Sequence, residues 1–144
     1  MTNVFTSILV PVDGSSAADR ALNRAIALAE AFSAKLTIVY IVDLNTHMSA
    51  FEQVSGGGYI PEEIKQKGYS VLRDAERRLP SSLTADLLLE IGNPARRILN
   101  IAEDKRADLI VMGSRGLSKA KQILLGSVSQ SVLIRAECPV MIIR

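Results

Sequence analysis

Apolar and polar positions along the 144 residues change period several times, and each change marks an element. Ile8-Leu9-Val10-Pro11-Val12 is a short apolar run closed by Asp13-Gly14, the pattern of a buried strand and a turn. A helical period follows. Ala18, Ala21, Leu22, Ala25, Ile26, Leu28, Ala29 and Phe32 recur on one face, behind a cap at Ser15 or Ser16. That stripe is largely alanine, so the helix is predicted to lie close against a sheet. Lys35 to Val42 is apolar and β-branched, a second strand. Asp43 to Tyr59 loses the pattern and holds Gly56-Gly57-Gly58; it is expected to be a long mobile loop, with one helical turn around Met48 to Val54. Pro61-Glu62-Glu63 opens a helix to about Leu79, with proline as its first residue, and Pro80 stops it. Ala85 to Ile91 is a third strand, and Asn93-Pro94 caps a helix carrying Ile98, Leu99, Ile101 and Ala102 to about Arg106. Asp108 to Gly113 is a fourth strand with a turn glycine. Ser114 to Leu125 is irregular, Gly126-Ser127 starts a helix to about Arg135, and Cys138 to Ile143 is a closing strand.

The order β-α-β-α-β-α-β-α-β, with strands apolar on both faces, predicts an α/β fold: one domain over 1–144 with an open five-stranded parallel sheet. Helices cover both faces through right-handed crossovers. The doubly wound strand order for such a chain is 3-2-1-4-5, Rossmann-like. Strands one and four are then neighbours, and the chain reverses direction between them. Ligands of open α/β sheets sit beyond the carboxyl ends of the strands at that reversal. There Asp13-Gly14-Ser15 and Gly113-Ser114-Arg115-Gly116 are expected to converge, with glycines where a backbone must approach closely.

Composition narrows the ligand. Net charge is +2 with scattered basic residues, and Trp is absent, so neither nucleic acid nor a membrane surface is an expected partner. No run approaches the roughly 18 apolar residues of a membrane span. Met1 to Ser7 has neither a basic nor an apolar leader region, so no signal peptide is expected. A single cysteine, Cys138, forms no internal disulfide and fits a cytoplasmic protein. It reads as a structural thiol, and His47, without metal-like partners, as a solvated side chain.

Gly113-x2-Gly116-x9-Gly126-Ser127 places two turn glycines before a third that opens a helix. A helix start presents unpaired N–H groups and a positive dipole end, which suit phosphate. Ser127 and Ser129 are expected to add hydroxyl donors, and the segment carrying Lys119 and Lys121 to fold over as a flap or to stand as an exposed basic loop. This is neither a Walker loop nor the Gly-x-Gly-x-x-Gly dinucleotide fingerprint.

With these blocks in this order, the chain resembles the universal stress proteins, and among them the subclass that binds ATP. The likeness runs from Ile8-Leu9-Val10-Pro11-Val12-Asp13-Gly14-Ser15 through Ala107-Asp108-Leu109-Ile110-Val111-Met112-Gly113-Ser114-Arg115-Gly116 to Leu125-Gly126-Ser127-Val128-Ser129 and Cys138-Pro139-Val140. The resemblance implies that Pro11, Val12 and Asp13 line a nucleoside pocket, Asp13 near adenine or a bound metal. It implies a backbone contact from Val42 to adenine, and Met112 beside the ribose. Gly113, Arg115, Gly116, Gly126, Ser127, Val128 and Ser129 would surround ribose and phosphates, with Mg²⁺ or Mn²⁺ bridging the phosphates. A homodimer through Val140 to Ile143 is expected on two grounds: the resemblance, and the apolar sheet edge that this strand would form. A regulatory role in a stress response is implied, with ATP held rather than consumed. Two rivals stand beside it: an adenine-nucleotide hydrolase, and a nucleotide-free dimeric scaffold or chaperone-like protein.

Overall fold

A computed structural model describes residues 4–57, 59–115 and 125–144, which form one sheet, its covering helices and the loops between them. The strands are β1 (Ser7–Pro11), β2 (Lys35–Val42), β3 (Ala85–Ile91), β4 (Leu109–Gly113) and β5 (Val140–Ile143). They run parallel in the order β3-β2-β1-β4-β5, the order expected from the alternating pattern. Register is set by burial. Ile8 pairs with Leu36 of β2 and with Leu109 of β4, and all three are almost completely buried. A slip of one residue would turn each of them to the opposite face.

The helices are α1 (Ser16–Phe32), α2 (Leu44–His47), α3 (Ala50–Ser55), α4 (Glu62–Arg77), α5 (Pro94–Asp104) and α6 (Ser127–Arg135). One core layer joins Ile8, Val10, Ile38 and Val111 to the alanine stripe of α1 and to Leu72 and Ala75 of α4. The opposite layer joins Leu9, Val39, Ile110 and Met112 to Ile98 and Ile101 of α5 and Val132 of α6. Alternate residues of β1 therefore feed opposite layers, as the strand period requires. Alanine lets α1 approach closely. A Cβ placed on Gly113 at the end of β4 would come within 2.9 Å of the Ala17 backbone. This glycine answers to packing between α1 and β4.

Two expectations need correction. Asp43 to Tyr59 holds two short helices where a long loop with one helical turn around Met48 to Val54 was expected, and α3 falls on that turn. Asp43 caps α2, accepting from the Asn45 N–H, and Ser49 and Glu52 form a reciprocal capping box on α3. The box is present in the sequence as Ser49-x-x-Glu52. Pro61 is the cap of α4 rather than its first residue. Among the described residues, no helix is long and apolar enough to cross a membrane.

Candidate functional site

Beyond the carboxyl ends of β1, β2 and β4 lies a cavity of about 500 Å³. The reversal between β1 and β4 opens it, as the topology requires. Pro11, Val12 and Asp13 follow from β1; Met112, Gly113 and Arg115 follow from β4; Gly126, Ser127, Val128 and Ser129 form the start of α6. Ten of the expected residues thus share one cavity. Gly116, Lys119 and Lys121 lie outside the described residues. Val42 does not line the cavity. It is fully buried, and its carbonyl accepts from the Gly92 N–H at 3.0 Å. The wall at that point is Ile41 and Asp43 instead.

Ala18, Tyr40, Thr46, Pro94 and Ile98 also line the cavity, though the sequence did not mark them as site residues. Asn93-Pro94 was legible as a helix start, and a helix start beside a ligand crevice is a usable signal. Ile98 carried no signal besides its place in an apolar stripe.

The loops are held by their own short side chains. Gly14 turns after β1 with φ +86°, a left-handed conformation that suits glycine. Just before it, Asp13 Oδ1 accepts from the Ser15 N–H at 2.8 Å. Across the reversal, the Ser114 carbonyl accepts from the Gly126 N–H at 2.6 Å. It also lies 2.9 Å from the Ser129 hydroxyl, which stands 3.0 Å from the Gly126 carbonyl. A hydroxyl has one proton. The Ser129 proton is shared between these carbonyls, so the hydroxyl fastens the loop.

The helix starts around the cavity differ in one respect. Ser15 caps α1 by accepting from Ala18 N–H, Asp43 caps α2, and Asn93 caps α5 by accepting from Arg96 N–H. Gly126 offers α6 no side-chain cap. The first-turn N–H groups of a helix have no intrahelical partner. At α6 they begin where Gly126 to Ser129 line the cavity. Apolar lining comes from Pro11, Ile41, Ile98 and Met112. The start of α6 thus suits an anion, and the apolar lining a flat apolar group.

Tyr40 adds a polar group to the lining. Burial, and then the Asp13 charge, push its phenol above the ordinary value, so it stays protonated. Cys138 lies elsewhere, beside a second cavity lined by residues of α5 and α6. Burial pushes its thiol up, opposite to the shift that activates a nucleophile. Among the described residues, no group of three or more His, Cys, Asp or Glu could hold a metal ion.

Residues 5–144 match the model of the universal stress protein family. The universal stress protein YxiE of Bacillus subtilis (strain 168) is 35% identical over 98% of this chain and 100% of its own. The structure of UspA from Lactobacillus plantarum superposes with TM-score 0.82 at 28% identity, covering 96% of this chain and 97% of that one. A universal stress protein solved in complex with cAMP gives TM-score 0.72 at 29% identity, covering 98% of each chain. Together with the strand order and the shared cavity, these matches place the chain: it belongs to the universal stress protein family.

Proposed function

We propose that the cavity binds an adenine nucleotide, ATP in the first instance, and that the protein is a cytoplasmic regulator of a stress response working as a homodimer. The observation that carries the reading is the contrast between helix starts. Only at α6, among those lining the cavity in the described residues, is no side chain supplied as a cap. Phosphate oxygens are the natural acceptors for such N–H groups, and the dipole favours their charge. Base and ribose would then lie along Pro11, Val12, Ile41 and Met112. The cAMP complex of a similar protein supports a purine nucleotide as the class of ligand.

Mg²⁺ or Mn²⁺ would enter with the phosphates, whose oxygens supply hard donors. A cation brought by the nucleotide fits a cavity whose protein carboxylates are few. Asp13 and Ser129 are engaged in holding the loops. Both commitments favour a binding role over turnover.

Mass analysis of whatever copurifies with the protein, followed by calorimetric titration with Mg-ATP, tests the reading. An adenine nucleotide and saturable binding are expected. Failure to bind ATP up to millimolar levels overturns it. Asp13→Ala is expected to weaken binding more than it lowers the melting temperature.

A further inference from the structure

Tyr40 belongs to two environments at once. Its ring is buried in the layer that α1 and α4 cover, leaving the residue 5% exposed. It also lines the nucleotide cavity together with Asp13. The ring reaches this position because α4 gives way to it. Gly68 stands in the middle of α4, where glycine is a poor helix former. A Cβ there would lie 2.7 and 3.0 Å from Tyr40 Cδ1 and Cε1, and 2.5 Å from Leu89 Cδ1. An alanine would therefore press on the ring and move it.

We propose that Tyr40 contacts the ligand, its phenol acting with the Asp13 carboxylate to recognise a sugar hydroxyl, and that Gly68 is the seat that positions its ring. The inference rests on the nucleotide reading above. The chemistry of the pair selects the group. An ionised carboxylate only accepts hydrogen bonds, and a protonated phenol donates. An alcohol donates and accepts at the same oxygen, so it satisfies both partners. A carbonyl would leave the carboxylate unmatched, and an ammonium would leave the phenol proton unmatched. A phenol keeps that proton at neutral pH, and burial and the Asp13 charge push its ionisation further up.

Calorimetric titration of the parent and of Tyr40→Phe with Mg-ATP, 2′-deoxy-ATP and 3′-deoxy-ATP tests this. Phenylalanine keeps the ring and removes only the hydroxyl. The parent is expected to favour ATP over at least one deoxy nucleotide by about three- to tenfold. Tyr40→Phe is expected to lose ATP affinity by a similar factor and to bind that deoxy nucleotide as the parent does. Gly68→Ala is expected to lose affinity for all three nucleotides, since the displaced ring intrudes on the site. A Tyr40→Phe variant that binds ATP within about twofold of the parent overturns the inference and leaves the nucleotide reading standing. Equal losses for ATP and both deoxy nucleotides overturn the hydroxyl assignment. A parent that binds no adenine nucleotide overturns both.

Discussion

At the scale of single residues, backbone proximity decides more than polarity does. Gly113 faces the Ala17 and Ala18 backbone, and backbone cannot swing away as a side chain can. Gly113→Ala is expected to destabilise the fold by about 1–3 kcal/mol, an overpacking cost, read as a lower denaturant midpoint at unchanged slope. Asp108 works by charge. Its carboxylate accepts from the Thr6 and Ser7 N–H groups and from the Thr6 hydroxyl, tying the start of β1 to the start of β4. Burial pushes this carboxyl up, but those hydrogen bonds outweigh it and hold it below the ordinary value of 3.8. A carboxyl lowered in the folded state contributes stability that is fully present above its unfolded value. That contribution is lost as pH falls through the lowered one. Asp108→Asn is therefore expected to melt lower than the parent at neutral pH, with the gap narrowing in strong acid. A gap independent of pH would remove the charge from the account.

At the scale of elements, the start of α6 is a small assembly in its own right. Ser129 is 2% exposed and fastens the Ser114 and Gly126 carbonyls. Ser129→Ala leaves those carbonyls without that donor, which costs about 1–2 kcal/mol. It is expected to lower both the melting temperature and the affinity for Mg-ATP. An unchanged affinity would mean that the loop keeps its shape without the hydroxyl. Much of this level was legible in the sequence. β2 was predicted to the residue and β3 was placed near its observed bounds, because both carry consecutive apolar residues. The glycines and Asp13 were legible because turns and close approaches restrict which residues fit. Tyr40 and Ile98 were not. Each belongs to an apolar stripe, and periodicity alone cannot say that a stripe ends at a cavity wall. The short helices α2 and α3 carry a weaker signal for another reason. α2 is a single turn anchored by Leu44 against the core, and α3 buries no residue and is held by its capping side chains.

At the scale of the whole molecule, β5 is a sheet edge. The Pro139 and Ile143 carbonyls bond to Ile110 and Ser114 of the β4 side. By the alternation of a strand, Val140 and Ile142 aim their N–H and carbonyl groups away from β4. The side chains of Val140 to Ile143 are all partly exposed, with Leu133 and Ile134 of α6 exposed as well. An apolar edge with outward backbone groups invites a second strand. Ile142→Pro removes one outward donor and is expected to convert a dimer to a monomer in sedimentation, with the helical circular dichroism signal retained. A parent that sediments as a monomer would defeat this pairing.

The Ser114 N–H bonds to the Ile143 carbonyl at 2.7 Å, and the Ser114 carbonyl holds Gly126 at the cavity. One peptide segment therefore joins the outer strand to the start of α6. If association shifts that segment, thermodynamics fixes the consequence in both directions. The factor by which ATP tightens self-association equals the factor by which self-association tightens ATP. Protein concentration would then report on nucleotide level, and nucleotide level on protein concentration.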